Sequence, residues 1–190
     1  MKRDYSLAAC FFFICLALAI LLLVFSTLPN PAFQAYLEKP TQDECEAAIA
    51  SRVHYLMNQE RVSLGLAALA LNPKVEDAAV EHSNDMAART YFSHYSPEGN
   101  DFAWRYAEHG VSCAIAAGNP NWYGGGENIY QSDFHSNPCS DVEATAKDIV
   151  SSLLASEAHR RNALSSYWVS EGVGIAIAES GNVYATQDFC

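Results

Sequence analysis

The hydrophobic and polar positions divide the chain into one long apolar run near the N-terminus and a longer segment of mixed character. The apolar run extends from Leu7 to Phe25 and would span about 28 Å as a helix, close to the thickness of a bilayer core. Lys2 and Arg3 precede it, which predicts a cytoplasmic N-terminus with the remaining chain outside. We interpret residues 1–28 as a transmembrane anchor or a cleaved signal peptide, and favour the anchor because the run exceeds the usual signal length.

Four later segments have apolar residues at helical spacing, and three of them begin at residue types that cap helices. The predicted helices are Asp43 to Leu64, a helix after an Asn72 cap with Pro73 at its first position, a short helix from Asp101 to His109, and a helix that opens at Ser140 or Asp141. Residues 29–42 contain three prolines and are predicted to form a linker between the apolar run and the first helix.

The C-terminal part of the chain changes to the alternation that is typical of strands. Apolar residues alternate with small ones over residues 173–177, residues 179–182 supply a turn, and a return strand is predicted over 183–189. Residues 127–131 are predicted to form a further strand. Helices that precede and interrupt late antiparallel strands indicate an α+β fold in which helices cover both faces of the sheet.

Charge and cysteine content restrict the class of protein. The formal net charge of −11 and the absence of a basic cluster argue against binding to nucleic acid. Four cysteines lie outside the apolar run, an even number that suits disulfides in an oxidising compartment. Three pairings are possible and the sequence does not choose among them, but we favour Cys113–Cys139 and Cys45–Cys190, the second of which would join the start of the domain to its last residue.

Seven short sequence segments of this domain are each too common to identify a protein family, but their order along the chain is informative. They are Met57-Asn58-x-x-Arg61-x-x-x-Gly65-Leu66, Leu69-x-x-Asn72-x-x-Val75, Ala79-x-x-His82-Ser83-x-Asp85-Met86-Ala87, Tyr91-Phe92-Ser93-His94-x-Ser96-Pro97-x-Gly99, Gly126-Glu127-Asn128-Ile129, His159-Arg160-x-Asn162 and Gly172-Val173-Gly174-Ile175. Together they resemble the SCP-like extracellular domain of the cysteine-rich secretory protein, antigen 5 and pathogenesis-related (CAP) superfamily, in its compact prokaryotic form. We therefore assign residues 43–190 to one such domain.

The resemblance implies a three-layer α-β-α sandwich with a central, mainly antiparallel sheet. It also implies a cleft lined by two histidines and, in many members, two acidic residues. On this sequence His94 and His159 match the histidine positions, and Glu127 matches one acidic position. The second acidic position is Ser156, and the tryptophan that precedes it in the family pattern is Leu153, so this chain departs from the pattern there.

The matched side chains suggest metal chemistry. Two imidazoles and a carboxylate are ligands that zinc accepts, so His94, Glu127 and His159 are candidate ligands for a divalent metal that would leave a position open for water. The alternative is a polar cleft in which Glu127 accepts hydrogen bonds from one or both histidines and no metal is held. Of the remaining histidines, His82 lies on an apolar helical stripe and is predicted to be a core residue. The others are predicted to lie at the surface: His54, His109 and His135.

Three functions remain open. The resemblance favours a binding or interaction module at the cell surface, because most members implied by the motifs are not established enzymes and some bind sterols or other lipids. Its partner would be a lipid, a glycan or a protein, and five aromatic residues are candidates to line a groove for it: Trp104, Tyr106, Trp122, Tyr123 and Tyr130. The alternatives are a metal-dependent hydrolase and a structural envelope protein with a vestigial cleft. All three place the domain outside the cytoplasm, held at the membrane or secreted.

Overall fold

The computed structural model describes residues 39–113, 124–132 and 137–190. Capping residues mark the starts of its two longest helices. Helix α1 comprises Gln42–Ser63 and begins at Thr41, which forms a reciprocal capping box with Glu44. Helix α2 comprises Pro73–Arg89 and begins at Asn72, whose side chain accepts a backbone hydrogen bond from the first turn. Both predicted helices are confirmed, the first to within one residue at each end.

Three further helices are α3 (Phe102–Glu108), α4 (Val142–Ala155) and α5 (Glu157–Ala163). The side chains of Asp101 and Asp141 cap α3 and α4, whereas Ser140 lies in a 3-10 helix, Pro138–Ser140. Asp141 is therefore the cap of the two candidates. The sequence pattern did not predict α5, because a seven-residue helix with Ala163 as its one buried residue carries no apolar stripe.

The three predicted strands and one short strand that the sequence pattern did not predict form one mixed, mainly antiparallel sheet. Its strands are β1 (Ala70–Leu71), β2 (Gly126–Ser132), β3 (Ser170–Ile177) and β4 (Val183–Phe189), in the order β1-β3-β4-β2. Only the short β1 pairs in parallel, with β3, and the hairpin of β3 and β4 and the pairing of β4 with β2 are antiparallel. In this register Glu127 on β2 lies directly opposite Asp188 on β4.

Helices cover both faces of this sheet. On one face, apolar side chains of β3 and β4 such as Val173 and Ile175 pack in the same core cluster as residues of α1 and α4. On the other face, Gly172 and Gly174 bring β3 against α2, and a Cβ at Gly174 would lie 2.3 Å from the backbone of Ala79. The α+β class and the three-layer α-β-α arrangement are thus confirmed.

The disulfide pairing differs from the one favoured on the sequence. Cys45 is bonded to Cys139 and Cys113 to Cys190, with Cα–Cα distances of 5.7 and 4.9 Å. Cys45 lies in the first turn of α1, and Cys139 lies in the 3-10 helix before α4, so the side-by-side packing of α1 and α4 brings these two together. The predicted pairs Cys113–Cys139 and Cys45–Cys190 are wrong because this packing is a tertiary feature that cysteine spacing does not encode.

The predicted anchor and most of the predicted linker lie outside the described residues. Within residues 39–113, 124–132 and 137–190, no helix has both the length and the apolar character needed to cross a membrane. The residues Thr41–Cys190 form one compact unit.

Candidate functional site

The carboxylate of Glu127 lies at the centre of a buried polar cluster on the α2 side of the sheet. Its Oε1 atom lies 2.7 Å from Nδ1 of His94, and its Oε2 atom forms an ion pair with Nη2 of Arg105 on α3. The side chains of Glu127 and Arg105 are 1% and 3% exposed. Because a buried carboxylate needs a cation or several donors, these two contacts explain how Glu127 is accommodated in the interior.

His94 is the part of this cluster that reaches the surface, with 44% of its side chain exposed. Nδ1 of the ring faces a carboxylate oxygen, which is an acceptor, so this nitrogen carries the proton in the neutral imidazole. Nε2 of His94 is then a hydrogen-bond acceptor. Glu127 thereby fixes both the tautomer and the orientation of a ring that solvent can reach.

His82 holds the loop that carries His94. Its Nε2 atom lies 2.9 Å from the carbonyl oxygen of Ser93 and therefore donates to it, and its side chain is 1% exposed. Burial lowers the pKa of His82, which outweighs the opposing effect of the Glu127 charge. The prediction that His82 is a core histidine is confirmed, and its position next to His94 gives it a role in shaping the cleft.

His159 lies on α5, which is attached to the strand of Glu127 by two asparagines. Asn128 Nδ2 donates to the carbonyl oxygen of His159 at 3.1 Å, and Asn162 Nδ2 donates to the carbonyl oxygen of Glu127 at 3.1 Å. Burial lowers the pKa of His159, and the positive charge that His94 can carry lowers it further. The two predicted cleft histidines therefore belong to one electrostatic environment, in which His159 is held towards its neutral form.

The other predicted cleft residues differ in burial. Ser156 lies at the junction of α4 and α5 and makes no side-chain hydrogen bond to the α5 backbone. Tyr106 and Tyr130 are buried. The hydroxyl group of Tyr106 donates to the buried carbonyl oxygen of Phe189, and that of Tyr130 donates to the exposed Asp148. Trp104 is 44% exposed on α3, next to Arg105. The remaining two aromatic candidates, Trp122 and Tyr123, lie outside the described residues.

Two polar residues of the cluster had no signal in the sequence pattern. Arg105 lies on a short helix that no motif includes, and its contact with Glu127 follows from the packing of α3 on the sheet. Asp188 follows a glutamine in the return strand, and only the strand register shows that it faces Glu127. Neither carboxylate oxygen of Asp188 has a hydrogen-bond partner among the described residues.

The surroundings of Asp188 favour its neutral form. Burial raises the pKa of this fully buried carboxyl group well above its ordinary value, and the charge of Glu127 raises it further. The folded protein thus retains at Asp188 a proton that the unfolded chain releases above a pH of about 4. The free energy of unfolding therefore decreases as the pH rises from about 4 towards the raised pKa of Asp188.

We expect Asp188→Asn to raise the thermal unfolding midpoint at pH 7 and to leave it unchanged near pH 4. Asparagine has nearly the same shape and cannot ionise, so it removes the cost of keeping a carboxyl group protonated. Thermal unfolding followed by circular dichroism from pH 4 to pH 8 measures the difference. The exposed Asp77 supplies a control, since Asp77→Asn should shift the midpoint little at any pH. A less stable Asp188→Asn variant at pH 7 would mean that Asp188 is ionised in the fold.

Two of the predicted metal ligands are already engaged with each other, and one of them with an arginine. Among the described residues, no group of three or more His, Cys, Asp or Glu side chains is arranged to hold a metal ion. One oxygen of Glu127 already faces His94 and the other pairs with the Arg105 guanidinium, a cation that opposes the approach of a second cation. The three residues therefore do not fit a three-ligand zinc site, which stays a sequence-based prediction without geometric support.

We accordingly expect the intact chain to retain much less than one zinc per molecule after dialysis against chelator-free buffer. The physical reason is that two imidazoles without a third ligand bind zinc only weakly. Elemental analysis of the dialysed protein measures the stoichiometry. One zinc per chain that is lost on His94→Ala and kept on His109→Ala would restore the three-ligand interpretation.

Comparison with known proteins agrees with the fold and with the motifs. The model of the cysteine-rich secretory protein family (CAP) matches residues 54–189. The protein YkwD of Bacillus subtilis (strain 168), itself uncharacterized, is 28% identical over 141 residues, which are 74% of this chain and 47% of that protein. The chain thus spans less than half the length of this relative.

Two solved structures share the architecture. An extracellular protein with an SCP domain from Bacillus anthracis str. Ames is 25% identical, with a TM-score of 0.62 over 80% of this chain and 44% of its own. An outer surface protein of Borrelia burgdorferi is 12% identical, with a TM-score of 0.56 over 72% of this chain and 87% of its own, and shows the likeness of fold alone. From the match of residues 54–189, the chain belongs to the cysteine-rich secretory protein (CAP) family.

Proposed function

We propose that this CAP domain is an extracytoplasmic binding module whose cleft recognises a ligand that carries hydroxyl groups. The observation that carries the proposal is the half-exposed imidazole of His94, which a fully buried carboxylate holds in one orientation and one tautomer. A surface histidine with a purely structural role needs no such support from the core. Fixed polar groups at the mouth of a cleft are typical of ligand sites.

The chemistry of the cleft suggests the ligand class. In its neutral form His94 presents Nε2 as an acceptor, and burial lowers the pKa of His159, which favours the neutral ring there, so both imidazoles can accept hydrogen bonds from hydroxyl groups. Phe92, Tyr95 and Trp104 are exposed in the segments that flank His94 and Arg105, and can contribute apolar contacts. A glycan or the polar head of a lipid combines hydroxyl groups with apolar surface in this way.

Three observations support placement outside the cytoplasm. The domain has two disulfides, which persist in oxidising compartments, and a solved relative is described as extracellular. The apolar run Leu7 to Phe25 has the length of a membrane-spanning helix and follows two basic residues. We therefore propose that the run anchors the domain at the outer face of the cell membrane, and a cleaved signal peptide would release the same domain.

A ligand-observed NMR screen tests the proposal. The intact chain would be screened with a library of monosaccharides, polyols and short-chain glycolipids, alongside His94→Ala and His109→Ala variants. His109 is a suitable control because it is a partly exposed histidine that also contacts a carboxylate, Glu81, away from the cleft. We expect compounds that bind the wild type and His109→Ala and lose at least tenfold in affinity on His94→Ala.

The other outcomes of this screen favour the rival functions. A compound that is consumed in the presence of the wild type and not of His94→Ala would favour the hydrolase. A screen in which no compound distinguishes the three proteins would favour a structural envelope protein and would contradict the binding proposal.

A further inference from the structure

A continuous series of side-chain hydrogen bonds crosses the face of the sheet that packs on α1 and ends behind the cleft. It begins at α1, passes through one residue on each of three adjacent strands, and ends on α5. Its members are His54, Glu171 on β3, Gln187 on β4, Asn128 on β2 and the carbonyl group of His159. The three strand residues are each at most 1% exposed.

At the α1 end of this series, the donor and the acceptor of each hydrogen bond can be assigned. Asn58 is held by the backbone of Leu69, since its Oδ1 accepts from the Leu69 amide at 2.7 Å and its Nδ2 donates to the Leu69 carbonyl at 3.0 Å. The same Nδ2 lies 3.2 Å from Nε2 of His54, which must therefore act as the acceptor. His54 then carries its proton on Nδ1, 2.6 Å from Oε1 of Glu171. His54 is only 18% exposed, so its predicted surface position is wrong.

The inner links follow in the same direction. Oε2 of Glu171 accepts from Nε2 of Gln187 at 2.7 Å, which turns Oε1 of Gln187 towards β2. This oxygen accepts from Nδ2 of Asn128 at 3.3 Å, and the same Nδ2 donates to the carbonyl oxygen of His159 at 3.1 Å. Each donor meets an acceptor, and the carboxylate of Glu171 sets the orientation of Gln187. Asn128 is oriented by Gln187 and also by Asn162, whose Nδ2 donates to Oδ1 of Asn128 at 3.1 Å.

The packing of the core does not explain why a carboxylate is present at residue 171. Glu171 is fully buried on a sheet face whose neighbouring β3 residues, Val173 and Ile175, are aliphatic. The buried cation Arg61 donates its hydrogen bonds to main-chain carbonyl groups and makes none to Glu171. Buried polar groups of this kind are costly for stability and are retained where they impose one specific arrangement.

We propose that Glu171 is a positioning residue of the cleft, which fixes His159 through Gln187 and Asn128. The proposal rests on the function proposed above, because it concerns the geometry of the same cleft. The short segment between α5 and β3 connects the two residues along the chain, and the side-chain amides of β4 and β2 connect them across the sheet. The carboxylate is the acceptor that sets the direction of Gln187, and Gln187 and Asn162 together orient Asn128.

The variant Glu171→Gln tests this dependence. A glutamine that still accepts from His54 presents its amide nitrogen to Nε2 of Gln187, so two donors face each other and Gln187 must turn. Its oxygen then no longer accepts from Asn128. We expect the side-chain amide signals of Asn128 and the imidazole and backbone signals of His159 to move in NMR spectra of the intact chain in detergent micelles.

Two companion variants make this test specific. Glu81→Gln makes the same change at the contact of Glu81 with His109, which is equally short at 2.6 Å, and should leave the His159 signals in place. The double variant Glu171→Gln/Gln187→Glu reverses the donor and the acceptor at one link and restores every other bond, so it should return the His159 signals towards those of the wild type.

The result that would overturn the proposal is a folded Glu171→Gln protein whose His159 signals match the wild type, or equal changes in Glu81→Gln. If Glu171→Gln does not fold, Gln187→Met at the next link decides, since loss of the oxygen that accepts from Asn128 should also move the His159 signals. These readouts need no ligand, so they separate failure of this inference from failure of the proposed binding function.

Discussion

Replacing Arg105 with methionine is expected to lower the free energy of unfolding by about 3–5 kcal/mol. Methionine keeps much of the apolar volume of the side chain but removes the cation that faces the buried carboxylate of Glu127. Removing one partner of a buried ion pair leaves the other charge in a medium that solvates it poorly, and this accounts for the size of the loss. Urea unfolding followed by circular dichroism measures it.

Arg89 supplies the matched control for this prediction. It also pairs with carboxylates, those of Asp85 and Glu98, but its side chain is 38% exposed. Arg89→Met is therefore expected to cost much less than Arg105→Met, because water screens an exposed ion pair. The double variant Arg105→Met/Glu127→Gln should recover part of the loss, because no charge is then left in the interior. An Arg105→Met protein as stable as the wild type would show that Glu127 is not ionised in the fold.

Removing the disulfide Cys45–Cys139 through a double alanine variant is expected to cost about 2–5 kcal/mol. The bond joins residues 94 positions apart and ties the start of α1 to the segment before α4, so it restricts a long stretch of the unfolded chain. Thermal unfolding of the Cys45→Ala/Cys139→Ala protein measures the effect.

The variant Cys45→Ala/Cys190→Ala is the informative comparison. It removes one cysteine from each observed disulfide and should be less stable than Cys45→Ala/Cys139→Ala, which breaks one. If Cys45 were bonded to Cys190, this comparison would come out in the opposite order. Mass spectrometry of proteolytic peptides under non-reducing conditions gives the pairing directly.

The secondary structure was predictable because its signals are local. Asn72 with Pro73, and Asp101, mark helix starts by interactions within one turn, and alternation over a few residues marks the hairpin. Helix α5 gave no such signal, since it is short and rests on the protein through few buried residues.

The cleft was only partly predictable for a related reason. The motifs indicated His94, Glu127 and His159, but Arg105 and Asp188 reach Glu127 through helix packing and strand register, neither of which short spacings encode. The disulfide pairing failed on the same ground. His54 was assigned to the surface because the buried carboxylate it contacts lies 117 positions away in the sequence.

The glycines of β3 have a consequence for how the cleft can respond to its occupant. At Gly172 and Gly174 the strand touches the backbone of α2 with no space even for a methyl group, so this helix and the sheet move as one body. His82 on α2 donates a hydrogen bond to the carbonyl oxygen of Ser93, the residue before His94, so the segment that carries His94 is held rigidly against α2. The seven-residue α5, which carries His159 and has Ala163 as its one buried residue, is held less firmly and is the element more able to adjust to occupants of different size.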